Sequence, residues 1–399
     1  MSLLFETPPW KQARIVKQIR EEWSDNFLSF KKANEGEEII PSITSLEGEI
    51  NDLKQKIETS FNDSFDWDSW KKLGNPYEFI YTPSKDKYPL PSISIQNPLS
   101  RSYFKLWEMF KTFDVKFPQS LKTAHVCEGP GGFIQCIYDW AEKYRNHIQG
   151  TTAMTLRPDH ASIPGWKRAA NFLKKHPNIN VEYGPNRDGN IMNPENQDFF
   201  IDKARGSHIF TADGGFDFSE EYDKQEINMF PLILNSAIIA LSVLALDGIC
   251  VIKIFDMHYQ ITKDLMSILA SQFKSWTIYK PATSRPCNSE RYFIGLGFRG
   301  KSTQIIMALR QLRGEYDESL VSFLSPEFSN KFTDSFEEQN LPILQRQKKS
   351  IEHILHIANT YEYEEYYKEA IKLRNASEDW CKRFGIPYYG FNANFPNKS

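Results

Sequence analysis

Between about residues 100 and 300, short apolar runs alternate with stretches whose apolar positions recur at helical spacing. The pattern predicts a helix over Ser102–Thr112 and a strand over Thr123–Cys127. A glycine-rich turn then leads into a helix over Phe133–Tyr144. A strand at Thr151–Leu156, a helix at Gly165–Lys174 and short strands at Ile179–Tyr183 and His208–Ala212 follow. A long helix over Gln225–Leu246 precedes a largely apolar strand, Ile249–Phe255, and a helix over Thr262–Phe273. Two strand-like runs, Trp276–Lys280 and Arg291–Phe298, close the region with no helix between them. Strands alternating with helices specify an α/β fold whose mostly parallel sheet is covered by helices on both faces. The last two runs are expected to pair antiparallel.

The flanks read differently. Residues 1–65 form a helical accessory segment in this reading. Thr7-Pro8-Pro9 opens a helix running to about Trp23. Thr44-Ser-Leu-Glu47 is a capping box. Leu46, Ile50, Leu53 and Ile57 then mark one apolar helix face, expected to pack on the body. Pro83, Pro89, Pro91 and Pro98 exclude a helix over 80–99 and predict a long loop. Residues 301–399 read helical again, with a frayed end at Phe391–Ser399, and no internal repeat is present. The expected division is 1–65, a central domain over 66–300, and 301–399.

Composition narrows the class without deciding it. With 40% hydrophobic and 25% charged residues over 399 positions, the chain has ample apolar surface for a core, which excludes disorder throughout. The longest apolar-rich run, Ile238–Phe255, is broken by Ser242, Asp247, Gly248 and Lys253, so no membrane partner is expected. The first residues lack a charged leader followed by an apolar block, so no signal peptide is expected. Five cysteines, odd in number and with no C-x-x-C spacing, fit a reducing intracellular location and argue against a structural zinc site. No metal-ligand cluster is visible, and no metal is expected. A net charge of −3 excludes nucleic-acid binding by the overall field, though not by a local groove.

Four segments carry candidate chemistry. Val126-Cys-Glu-Gly-Pro-Gly-Gly-Phe133 follows a strand and opens a helix, where glycines admit a ligand to the backbone and free N–H groups wait. It is neither a Walker loop nor a dinucleotide fingerprint, because Ile134 takes the place of the last glycine. An adenosyl ligand without a pyrophosphate fits better, and a plain tight turn stays open. Ile209-Phe-Thr-Ala-Asp213-Gly-Gly-Phe sets an acid at the carboxyl end of a strand, where open α/β sheets bind ligands; a helix N-cap is the bland reading. Lys253 interrupts the apolar strand Cys250-Val-Ile-Lys-Ile-Phe, as a desolvated base or a snorkelling strand end. Glu290 starts the last strand after a polar loop, and alone it would be read as surface.

Together these segments resemble the FtsJ-like family of RNA ribose 2′-O-methyltransferases, and within it the eukaryotic and viral mRNA cap methyltransferases. The matching residues are Ser100-Arg-Ser-Tyr-Phe-Lys105-Leu, Glu128-Gly-Pro-Gly-Gly-Phe133, Asp188-Gly-Asn-Ile191, Ala212-Asp-Gly-Gly-Phe216, Ile252-Lys253 and Thr283-Ser-Arg-Pro-Cys-Asn-Ser-Glu290-Arg-Tyr292. The likeness covers about 71–298, and Gly74-Asn-Pro-Tyr-Glu78 resembles the segment that precedes the core in cap enzymes. The resemblance implies a Rossmann-like methyltransferase sheet with an antiparallel final strand. It also implies a catalytic K-D-K-E tetrad of Lys105, Asp213, Lys253 and Glu290. The cofactor implied is S-adenosyl-L-methionine, leaving as S-adenosyl-L-homocysteine. It would be held by Cys127, Glu128, Gly129, Pro130, Gly131, Gly132 and Phe133, by Asn190 and Ile191, and by Asp213 at the same edge. Two departures stand out. Asn190 replaces the usual aspartate, and its amide oxygen can still accept from an adenine amino group. Glu128 stands where alanine is common.

The expected reaction is methyl transfer to the ribose 2′-hydroxyl of a cap-proximal nucleotide, the first favoured over the second. Lys253 is the expected general base, its pKa lowered by burial and by Lys105, with Asp213 and Glu290 orienting the lysines. Lys71, Lys72, Asn75, Tyr77 and Arg285, and by resemblance Asp223, Lys224 and Gln225, are candidate RNA contacts. The implied partners are the capped mRNA 5′ end and the capping or transcription machinery. The implied location is the nucleus for a cellular protein, and the cytoplasm or virion for a viral one. A ribosomal or transfer RNA methyltransferase, a catalytically silent RNA-binding subunit and a nicotinamide oxidoreductase are the alternatives. The cap-type segments, the intact tetrad and the glycine spacing, respectively, speak against them.

Overall fold

The structure is a computed structural model that describes residues 7–18, 23, 27–60, 70, 72–82, 92–158, 165–215, 224–360 and 363–390. Its centre is an eight-stranded sheet. The strands are β1 (Val16–Lys17), β3 (Ser120–Val126), β4 (His147–Met154), β5 (Ile179–Glu182), β6 (Ser207–Ala212), β7 (Leu244–Ile254), β8 (Phe273–Tyr279) and β9 (Arg291–Phe298). Their spatial order is β1-β8-β9-β7-β6-β3-β4-β5. The run from β5 to β7 is parallel throughout. β9 slots antiparallel between β7 and β8, which confirms the antiparallel end to the sheet. A separate ribbon pairs β2 (Leu28–Lys32) with β10 (Leu320–Leu324).

Alternation along each strand splits the interior in two, because successive side chains leave opposite faces. Ile209 and Val251 join a cluster with helices Ser102–Thr112 and Gly132–Tyr144. Their neighbours Phe210 and Ile252 join the other, with helices Gln225–Val243 and Gln260–Ser271. Each fully buried Ile, Leu or Phe contributes about 1.5–3 kcal/mol. Helix Gln225–Val243 has the length and apolar composition of a membrane span, and 83% of its 18-residue apolar window is buried inside the fold.

Strands β2 and β10 depart from the sequence pattern, since both flanks read as helical, and two further elements depart from it as well. The helix expected from Thr7 to Trp23 stops at Gln12, and Val16–Lys17 pairs with the β8 edge, Val16 opposite Trp276. A local helix signal yields there to an open sheet edge. Helix Pro194–Ala204 was not expected, yet its start signal is plain: Pro194 sits in the first turn, and the Asn193 side chain accepts from Glu195 N–H. The Thr44–Glu47 capping box is present, with Thr44 N donating to Glu47 at 2.7 Å. Leu46, Leu53 and Ile57 pack around Ile50, Leu344 and Ile351, the last two from helix Thr333–Thr360.

The C-terminal helix Tyr363–Phe384 locks onto the body through Glu108. This fully buried carboxylate accepts from Trp380 Nε1 (2.9 Å), Tyr279 OH (2.6 Å) and Ala282 N (2.7 Å). Residues 71, 83–91, 223 and 391–399, with the expected RNA contacts Lys71 and Asp223, most of the proline loop and the frayed end, lie outside the described residues.

Candidate active site

Parallel strands deliver their carboxyl ends to one edge. β3 runs out into the turn at Cys127, β6 into Asp213, and β7 ends with Lys253 and Ile254. β9 runs the other way, so its beginning reaches the same edge, with Tyr292 opposite Lys253. Lys105 comes from the first turn of helix Ser102–Thr112.

Four side chains distant in sequence therefore form two linked ion pairs. Lys253 Nζ lies 3.3 Å from Asp213 Oδ1 and donates to the Asp213 carbonyl at 2.8 Å. Lys105 Nζ lies 2.7 Å from Glu290 Oε1. The fully buried Tyr292 hydroxyl lies between the pairs, 2.9 Å from Asp213 Oδ1 and 3.3 Å from Glu290 Oε1. Ser284 Oγ also donates to Glu290, at 2.8 Å. All four charged side chains keep 13–14% exposure, enough to meet a substrate.

Electrostatics correct one expectation. Burial alone would lower the Lys253 pKa, but Asp213 and Glu290 overcome it, and the ammonium is held above its usual value. Burial opposes ionisation of Glu290 too, yet Lys105, Lys253 and Lys280 hold its carboxyl well below the usual range. Without a ligand the site thus stores a protonated lysine rather than a ready base.

The glycine turn has the backbone geometry of a cradle. Gly131 has φ +102°, a conformation L side chains rarely adopt, and a Cβ there would touch Trp166 at 3.4 Å and Leu99 at 3.5 Å. A Cβ on Gly132 would sit 2.1–2.2 Å from the hydroxyls of Ser100 and Ser102. Phe133 is fully buried, and its ring lies 5.9 Å from that of Tyr292. Glu128 is buried and accepts from Thr211 Oγ1. Burial first, then Asp213, drives its carboxyl well above the ordinary range. Ile191 is buried, and Asn190 Oδ1 already accepts from Met192 N at 3.0 Å, which leaves one lone pair of the amide oxygen.

The residues expected to touch RNA fare unevenly. Asn75 is fully buried; its amide donates to Glu78 at 2.8 Å and accepts from Tyr77 N at 3.1 Å. It props its own segment and does not face a ligand. The half-buried Tyr77 ring packs 5.5 Å from that of Trp10. Arg285 binds Glu78 through two nitrogens, at 2.8 and 3.2 Å. Arg101 also pairs with Glu78, at 3.1 Å, and donates to the Thr283 carbonyl at 2.8 Å. The two arginines hold the fully buried Glu78 at a pKa of about 2, against a desolvation that opposes them. The segments around Asn75 and Thr283–Glu290 are thus clasped together by one carboxylate. Lys224 is exposed at the start of helix Gln225–Val243, and Lys72 and Gln225 are half-buried.

Sequence reasoning passed over Tyr292, Arg101 and Glu78 as site residues. Tyr292 had a signal: two residues beyond Glu290, it shares that residue's strand face. Glu78 had none, since its partners stand 23 and 207 positions away.

Comparison with known proteins gives the family. A family model described as FtsJ-like methyltransferase matches residues 98–298. The chain belongs to the FtsJ-like methyltransferase family. Its match to "Cap-specific mRNA (nucleoside-2'-O-)-methyltransferase 1" of Mus musculus is 33% identical over 224 residues, 50% of this chain and 26% of that protein. "Cap-specific mRNA (nucleoside-2'-O-)-methyltransferase 2" of Danio rerio matches at 29% over 303 residues, 72% of this chain and 41% of that protein. The chain therefore spans about a quarter to two fifths of the length of these relatives. A solved structure described as a ribosomal RNA methyltransferase from Plasmodium falciparum aligns over 51% of this chain and 99% of its own, at TM-score 0.36 and 17% identity.

Proposed function

We propose that this FtsJ-like chain transfers a methyl group from S-adenosyl-L-methionine to the ribose 2′-hydroxyl of a cap-proximal nucleotide in mRNA, the first nucleotide favoured. The observation that carries the reading is the pair of ion pairs at the carboxyl edge, Lys253–Asp213 and Lys105–Glu290, linked by Tyr292 beside the glycine turn. The capped substrate is supported by the names of the relatives and by the clasp that joins the Asn75–Glu78 and Thr283–Glu290 segments.

Residues Cys127–Phe133, Asn190, Ile191 and Asp213 would hold the cofactor, with Glu128 the nearest buried carboxylate of the turn. S-adenosyl-L-methionine supplies an electrophilic methyl on a positively charged sulfur. Lys253 Nζ would take the 2′-hydroxyl proton as the hydroxyl oxygen bonds to the methyl carbon and the carbon–sulfur bond breaks, its electron pair staying on the departing neutral thioether. A raised Lys253 must first lose its own proton, and a positive charge bound nearby favours that loss. Asp213 and Tyr292 hold the amine in line, so positioning supplies much of the rate. Lys72, Lys224 and Arg285 are the described side chains proposed to line the RNA path.

The test is methyl transfer to matched capped and uncapped RNAs, with the labelled nucleotide mapped. Label on the first transcribed nucleotide of capped RNA alone is the expected result. Equal labelling of uncapped RNA would move the chain to a ribosomal or transfer RNA substrate. No labelling of any RNA, with cofactor bound, would leave a silent binding subunit.

A further inference from the structure

A line of buried polar groups crosses the sheet beneath the candidate cofactor turn. It starts at Glu128 and runs through Thr211, His125, Thr123 and Thr151 to Tyr138. Thr211 Oγ1 donates to Glu128. His125 Nδ1 is 2.7 Å from Thr211 Oγ1, and its Nε2 is 2.9 Å from Thr123 Oγ1. Thr123 and Thr151 hydroxyls meet at 2.8 Å, and Tyr138 OH meets Thr151 at 3.1 Å.

Donor counting gives the line a direction. The Thr211 hydroxyl has one proton and spends it on Glu128, so it must accept from His125 Nδ1–H. Burial pushes His125 down to about 3, so the ring is neutral and Nε2 is a lone pair. Nε2 then accepts from Thr123, which accepts from Thr151, which accepts from Tyr138. Every hydroxyl proton points towards one carboxylate, an arrangement that favours its charged form.

Burial and Asp213 resist that charged form, and the group has no cation of its own. Among the described residues no ion pair reaches Glu128, while the groups that act on it are Thr211 and Asp213 from β6 and the residue after it, and Lys253 from β7. Cys127 of its own turn and Cys136 of helix Gly132–Tyr144 feel it in return. Lys253 is engaged by Asp213. A buried, oriented carboxylate lacking a counter-ion asks for a positively charged ligand.

We propose that Glu128 is the counter-ion of the cofactor's amino-acid ammonium, with Thr211 and His125 as its positioning residues. The inference rests on the cofactor reading above. Of the two positive groups on S-adenosyl-L-methionine, the sulfonium loses its charge during transfer. A carboxylate dedicated to it would stabilise the ground state over the transition state. The ammonium keeps its charge throughout, and the demethylated product carries it too. The proton balance is simple: the Glu128 carboxylic acid gives one proton to solvent, and the resulting carboxylate pairs with the ammonium.

The test is titration calorimetry at pH 7 in two buffers of different ionisation enthalpy, which counts protons exchanged. The ligands are S-adenosyl-L-methionine, S-adenosyl-L-homocysteine and a deaminated homocysteine analogue. Wild type should release protons with the first two ligands and not with the third. Glu128→Gln keeps the size and still accepts from Thr211. It should abolish the release, weaken the two amino ligands by a similar factor on the order of tenfold, and leave the deaminated analogue unchanged. Thr211→Val should keep the release but move its half-point to higher pH, because the carboxylate loses a donor; a merely structural role would not move it. Equal weakening of the deaminated analogue by Glu128→Gln overturns the assignment, as does weakening of S-adenosyl-L-methionine alone. A wild type that binds neither amino ligand overturns the cofactor reading and this assignment with it.

Discussion

Lys253 on β7 and Lys280 just past the end of β8 both lie beside Glu290, yet their pKa values move in opposite directions. Asp213 and Glu290 overcome burial at Lys253 and raise it. At Lys280 burial prevails, reinforced by the Arg291 and Arg346 guanidiniums, and the pKa is pushed well below the usual value. Their hydrogen bonds differ as well. Lys280 donates to Asn288 O (2.7 Å), Asn288 Oδ1 (2.6 Å) and Glu290 O (2.6 Å), so three oxygens claim its three protons. Held by these three oxygens, Lys280 braces the Asn288–Glu290 loop. Lys253 keeps partial exposure and a carboxylate partner that a ligand can compete with. Burial alone therefore does not identify a basic lysine; its neighbours and its remaining valence do.

The sharpest way to break the contrast is to replace Lys253. Lys253→Ala is expected to lower methyl transfer by about 10²–10⁴-fold while leaving cofactor affinity nearly intact, as single-turnover assays and calorimetry would read. Lys253→Arg should fail equally, since a guanidinium cannot become a neutral base; substantial activity would mean that the residue acts by charge alone. The raised amine also predicts a pH dependence. The neutral base is scarce at pH 7, so the rate of the chemical step should climb about one decade per pH unit through the neutral range. A flat profile under single-turnover conditions would remove Lys253 from the proton path.

Gly131→Val should reduce cofactor binding below detection, because its side chain meets Trp166 and Leu99 in a backbone conformation that disfavours it. Wild-type affinity would show that the turn is not the cofactor cradle. Lys280→Met sharpens the comparison from the other side. It removes the lysine donor from the Asn288 and Glu290 carbonyl oxygens and is expected to cost about 1–3 kcal/mol in denaturant unfolding. Activity should fall through the loosened loop, while the pH–rate profile keeps its shape. A displaced profile would make Lys280 part of the titrating set. The smallest effect is expected at Arg285, already committed to Glu78. Arg285→Ala should flatten the salt dependence of capped-RNA binding by about 0.7, the value for one phosphate contact on a single strand. An unchanged slope would assign Arg285 to the clasp alone.

The sequence was most legible where local patterns act. Helix Ser102–Thr112 and strand Arg291–Phe298 fall at the bounds their periodicity predicts, and the Thr44–Glu47 box caps its helix. It was least legible at edges. Val16–Lys17 reads as the continuation of a helix and becomes a strand because β8 presents unpaired backbone groups. The four charged residues of the two ion pairs could be named together only through the resemblance, Lys105 through it alone. Their pairing could not, because Lys105 and Glu290 stand 185 positions apart and meet only through β9 reversing beside β7.

The order of strands and helices and the glycine turn are properties of the chain itself, since side-chain periodicity and backbone permissiveness are local. The protonation state of Lys253, the bracing role of Lys280, the clasp of Arg101 and Arg285 on Glu78, and the polar line from Tyr138 to Glu128 belong to the tertiary structure. Each depends on how many oxygens and charges lie within a few ångströms of one atom in a medium that water does not screen, and folding alone sets that count.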